Sequence, residues 1–118
     1  MMDEGALGMA RRMVEVLEDK KGEDILLLDL VGECSFTDYF VIATGASERT
    51  LKALSDEVRL RMKTEFGNAL GRQEGDPSSG WLLIDFGDVI VHLFSKDMRR
   101  YYQLEDFWSS GRVLLRVK

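Results

Sequence analysis

The sequence holds one cysteine (Cys34), one histidine (His92) and one proline (Pro77) in 118 residues. A lone cysteine excludes an intrachain disulfide and points to a reducing compartment. One cysteine with one histidine also falls short of the ligand set of a structural zinc site. No apolar run approaches the roughly 20 residues a membrane-spanning helix needs. Asp3 and Glu4 stand at the N-terminus without a long apolar segment behind them, so no secretory leader is expected. The basic, acid-poor character of an organelle transit peptide is missing as well, and the expected location is the cytoplasm. Proline and low-complexity sequence are too scarce for long disorder. There is no basic excess either: 16 Lys and Arg face 21 Asp and Glu, a net charge of −5. Binders of phosphate backbones draw most of their affinity from such an excess. The balance therefore argues against a primary nucleic-acid binder and suits a partner with a basic surface.

What is present is an ordinary globular composition, 45% hydrophobic and 31% charged, at a length that suggests one domain over residues 1–118. Ala6, Met9, Ala10, Met13, Val16 and Leu17 recur at helical spacing, which predicts a helix from about Gly5 to Lys20 with Gly22 as its stop. The unbroken apolar run Ile25–Leu30 predicts a strand covered on both faces. Tyr39–Thr44, rich in aromatic and β-branched residues, predicts the next strand. Ser47 then caps a second helix, whose apolar stripe is Leu51, Leu54, Val58, Met62 and Phe66, and Gly67 ends it. A short strand is expected near Ala69–Gln73 and a loop over Glu74–Gly80. Trp81–Phe86 and Val89–Phe94 form a hairpin across Gly87-Asp88. Ser95 caps a last helix over about Lys96–Gln103, with Tyr101, Leu104 and Trp108 along one side of it and its extension. The tail from Gly111 either adds a strand or hangs loose. This interleaved order predicts an α/β fold: a mixed β-sheet of about five strands flanked by helices.

Several short motifs invite a chemical reading. Asp85-Phe86-Gly87 spells the magnesium motif of kinases, yet the glycine-rich loop, strand lysine and catalytic loop are absent, so the aspartate ends a strand and the glycine makes a turn. Gly45-Ala46-Ser47, between a strand and a helix, is where a phosphate can sit on helix N–H groups. A nucleotidyltransferase would also need a metal-binding carboxylate pair, and no Asp-x-Asp follows. A helix cap and tight turn is the plainer reading. His92 shares a strand face with Ile90 and Phe94 and reads as a satisfied, partly buried histidine. Cys34 sits in a loop without a nucleophile's partners. Arg99-Arg100-Tyr101-Tyr102 can be core with a solvated face, a protein-contact patch or a platform for bases. Trp81, Phe86 and Tyr102 are either core or an exposed apolar patch.

Three ordered blocks resemble the ribosome-silencing factor family, also called RsfS or Iojap. They are Asp38–Ser47, Trp81–Phe94 and Arg99–Trp108, and the shared pattern runs over about 6–108, leaving 109–118 as a tail. The resemblance implies a mixed α/β sheet related to nucleotidyltransferases but without their catalytic carboxylates. It implies no enzyme activity and no cofactor. The implied partner is the large ribosomal subunit, bound through its uL14-type protein at the intersubunit face, so that the small subunit cannot join and translation falls when nutrients are scarce. The family's contact patch maps onto Trp81, Phe86 and Tyr102, with Arg99 and Glu105 as rim charges. A homodimer of the free protein is compatible with such a patch. The competing reading is a nucleotide-binding enzyme using Gly45–Ser47.

Overall fold

The computed structural model describes residues 5–32, 34–67, 71–102 and 112–117. The element order is α1 (Gly5–Asp19), β1 (Glu23–Asp29), β2 (Tyr39–Thr44), α2 (Glu48–Phe66), β3 (Arg72–Asp76), a 3-10 turn (Pro77–Ser79), β4 (Trp81–Asp85), β5 (Val89–Phe94), α3 (Lys96–Tyr102) and β6 (Arg112–Val117). Six strands form one sheet in the order β3-β4-β5-β2-β1-β6. The β2–β5 pair at its centre is parallel and the other four pairs are antiparallel.

Strand alternation sorts the core into two layers. Ile25 and Leu27 of β1, Val41 and Ala43 of β2, Leu82 and Ile84 of β4, and Val89, Val91 and Leu93 of β5 face α1 and α2. Leu26, Leu28, Phe40, Ile42, Ile90 and Phe94 face the other side, where Met98 of α3 packs. The central strands are thus apolar on both faces, as the unbroken runs predict. On the helical side, Met13, Leu17, Leu51, Leu54, Val58 and Met62 are sealed from solvent. The Arg12 guanidinium reaches Glu65 with Nε at 2.8 Å and Nη2 at 3.1 Å, tying α1 to α2. This pairing holds the Glu65 carboxyl below its usual range. Phe66 departs from the expected stripe: the last residue of α2 is 44% exposed, beyond the edge of the packed layer.

Two expectations about the middle of the chain change. The strand placed near Ala69–Gln73 runs instead over Arg72–Asp76, and residues 68–70 lie outside the described residues. The loop expected over Glu74–Gly80 therefore shrinks, because its first three residues pair with β4. Gly75, with φ +82°, lies so close to Trp81 that an added Cβ would meet the Trp81 carbonyl oxygen at 2.3 Å. Asp76 caps the 3-10 turn by accepting from the Ser79 N–H at 3.1 Å. At the other edge the tail does add a strand, with β6 pairing along β1. No helix among the described residues is long and apolar enough to cross a membrane.

Candidate functional site

The two ends of the β4–β5 hairpin serve different layers. Trp81 and Leu83 face the α3 side, while Leu82, Ile84 and Phe86 face α1 and α2. The expected patch of Trp81, Phe86 and Tyr102 is therefore split. Phe86 is 5% exposed, inside the helical core, and its ring is so close to Gly71 that a Cβ there would meet it at 2.7 Å. The parity is the cause: Phe86 directly follows β4, an odd number of residues from Trp81, which puts the two on opposite faces.

Trp81 and Tyr102 do meet. Their ring centroids are 4.7 Å apart, and Trp81 stacks on Phe94 at 5.2 Å. Local chemistry at the start of α3 sets this up. Ser95 Oγ accepts from the Met98 N–H at 3.2 Å, capping the helix. The Ser95 N–H in turn donates to the Gly80 carbonyl at 2.9 Å, which docks the helix start beside the start of β4. Gly80, at φ +80°, permits that approach: a Cβ there would meet Met98 Cγ at 2.7 Å and Ser95 Oγ at 2.9 Å. Tyr102 is half-exposed and Tyr101, its edge-on neighbour at 5.0 Å, is exposed. Beside the pair lies an open groove of ≈310 Å³ lined by Glu74, Gly75, Ser79, Leu83 and Met98 as well as the two aromatics.

Arg99, expected as a rim charge, is buried, and this corrects its role. Nη1 donates to Thr44 Oγ1 at 2.9 Å, and Nη2 lies 3.6 Å from Asp24 Oδ2. Asp24 is brought there by an irregularity in β1, where its φ is +48°. Arg99 thus pins α3 to β1 and β2. Arg100 is paired with Asp97 at 3.1 Å. The two arginines therefore do not form a shared basic surface. Glu105, Leu104 and Trp108 lie outside the described residues.

His92 is the site residue that sequence reasoning undervalued. It sits on β5 two residues from Phe94, 4% exposed. Its Nδ1 accepts from the Trp81 indole Nε1–H at 3.3 Å, and Phe40 stands edge-on to it at 4.6 Å. Burial among these rings pushes its pKa down to about 3. Leu83 and Met98 were also missed, although period-2 spacing from Trp81 and an i−4 step from Tyr102 mark them.

The nucleotide-site candidate is occupied by structural duties. Ser47 Oγ accepts from the Thr50 N–H at 3.1 Å, capping α2. Gly45 donates to the Phe94 carbonyl at 2.9 Å and leaves no room for a Cβ, which would meet Leu51 Cδ2 at 2.8 Å. Asp85 of the kinase-like triplet accepts from the Gly87 N–H at 2.8 Å, closing the hairpin turn. Among the described residues no three His, Cys, Asp or Glu side chains are grouped for a metal ion.

The family described as "Ribosomal silencing factor during starvation" matches residues 3–116. The chain belongs to the RsfS family. The ribosomal silencing factor RsfS of Bacillus subtilis is 42% identical over 80% of this chain and 79% of its own. The crystal structure of a Chromobacterium violaceum protein superposes with a TM-score of 0.82 at 38% identity, covering 87% of this chain and 85% of that one. A mouse protein named for mitochondrial assembly of the ribosomal large subunit is 30% identical over 82% of this chain, which matches 43% of its length. The mixed six-stranded sheet with three helices is thus an RsfS-family fold. The blocks that signal the family, Asp38–Ser47 and Trp81–Phe94, are the two central strands, the α2 cap and the hairpin that carries Trp81.

Proposed function

We propose that this RsfS-family chain is a non-enzymatic, cytoplasmic repressor of translation. It docks on the large ribosomal subunit through the uL14-type protein and sterically blocks joining of the small subunit. The observation that carries the reading is the half-exposed pair Trp81 and Tyr102 beside an apolar-walled groove. Aromatic anchors at a partly desolvated centre, with polar groups such as Glu74 and Ser79 at the margin, are the anatomy of a protein-contact surface. A net charge of −5 complements a basic ribosomal surface and speeds encounter. Membership of a family named for ribosomal silencing, and a relative named for large-subunit assembly, support the same partner. Phe86 contributes from within, by fixing the hairpin that presents Trp81.

Co-sedimentation with isolated large subunits, small subunits and joined ribosomes tests this. The parent protein travels with large subunits and lowers the yield of joined ribosomes. Trp81→Ala and Tyr102→Ala each weaken large-subunit binding by about 2 kcal/mol or more, roughly thirtyfold, the scale of a hot-spot aromatic. Full binding by both variants, folded by circular dichroism, moves the contact elsewhere. Absence of binding by the parent protein to any particle removes the reading altogether.

A further inference from the structure

A tryptophan anchor is only as good as its orientation, and Trp81 has a device that sets it. The indole Nε1–H is a donor only, so the ring nitrogen that receives it must be an acceptor. Nδ1 of His92 lies 3.3 Å away and fills that role. The imidazole is therefore neutral, with its proton on Nε2. That second nitrogen is buried and has no hydrogen-bond partner among the described residues. A buried donor left unpaired costs stability, and an apolar side chain here would remove the cost. The arrangement sacrifices stability for an acceptor aimed at one indole. The surroundings narrow its aim further: Phe40 packs edge-on to His92 at 4.6 Å, and Phe94 lies parallel to it at 6.1 Å and stacks on Trp81.

We propose that His92 is a positioning residue of the docking face, whose Nδ1 holds the Trp81 indole in the orientation that the partner meets. It touches no partner itself. Trp81 sits directly opposite Phe94 on the neighbouring strand, and His92 lies on the diagonal. Without the bond the indole keeps its stacking area on Phe94 but is free to rotate about its side-chain torsions. Docking then bears the entropy of fixing the ring, which the free protein has otherwise already met. The inference rests on the reading of Trp81 as an anchor.

The decisive comparison is between two polar replacements. His92→Asn places a carbonyl oxygen near the position of Nδ1, whereas His92→Gln carries its oxygen out toward the position of Nε2. Two readouts are needed: the proton exchange rate of the Trp81 indole N–H by NMR, assigned by its loss in Trp81→Phe, and affinity for isolated large ribosomal subunits. The expected result is near-parental indole protection and affinity for His92→Asn. For His92→Gln the indole exchanges faster and affinity falls about tenfold, the scale of one hydrogen bond. Equal affinity of the two variants, with the indole protected in one and exposed in the other, overturns the proposal. So does an equal loss in both. Neither result touches the anchor reading so long as Trp81→Ala weakens binding as expected above. If Trp81→Ala binds as the parent does, it is the anchor reading that has failed.

Discussion

His92 is a buried base in a ring of aromatics, and its titration is written into stability. In the unfolded chain the imidazole takes a proton near its ordinary 6.5, whereas in the fold burial pushes that pKa down to about 3. Below about pH 6.5 the unfolded state gains a proton that the folded state refuses. Stability is therefore level above that pH and falls as pH drops from about 6.5 toward about 3. Urea unfolding at stepped pH should show this decline. In His92→Asn the part between about pH 6.5 and 5 should vanish. Below about pH 5 the decline becomes shallower but does not vanish, because Glu65 and Asp76, both held below the usual carboxylate range, lose their partners' contribution there. The residue-level logic was partly legible beforehand. The face shared by Ile90, His92 and Phe94 follows from alternation, and so does the separation of Phe86 from Trp81. The Trp81–His92 bond does not, because it joins a diagonal pair whose geometry depends on strand register.

At the scale of elements, α3 is described over the seven residues Lys96–Tyr102, and tertiary contacts place them. Its position comes from three fixings already described: the Ser95 cap, the backbone bond of Ser95 to Gly80, and Arg99 reaching Thr44 and Asp24. Arg99→Ala removes the longest of these tethers. It should cost about 1.5–3 kcal/mol, the range for a hydrogen bond to a charged group. Thermal unfolding reads the loss. Tryptophan emission of the folded variant should also change as Tyr102 leaves Trp81, and a variant with unchanged stability and emission denies Arg99 its anchoring role. The sequence pattern marked Ser95 as a cap and Lys96 as the helix start. It left Arg99 open between core with a solvated face, a protein-contact patch and a platform for bases, and only the family resemblance made it a rim charge. Only the sheet's irregularity at Asp24 brings a carboxylate, itself partly exposed, to the buried Arg99 guanidinium. The clear elements, α1, α2 and the hairpin, were legible because each has one strong period. The bounds of the strand Arg72–Asp76 were not, because all five of its residues are exposed and none is apolar.

For the whole molecule, the two sheet edges differ. One is β3, exposed and polar, with Gly75 at φ +82°. The other is β6, whose removal uncovers the backbone edge of β1 beside Leu26, Leu27 and Leu28. A chain ending at residue 110 should lose more than about 5 °C of Tm, which is what about 1 kcal/mol amounts to at this size. It should also scatter light as the uncovered edge pairs with other chains. Unchanged Tm and a clear solution give β6 no part in holding the sheet. Finally, the central pairing of β2 with β5 is parallel and spans the chain from Tyr39 to Phe94, with α2, β3 and β4 in between. During synthesis β2 emerges long before the strand it must lie beside. Trp81, His92 and Tyr102 likewise all follow β2 and α2 in the chain. The central pairing and the Trp81–His92 contact therefore form together, only once β5 has followed β2 by the length of α2, β3 and β4.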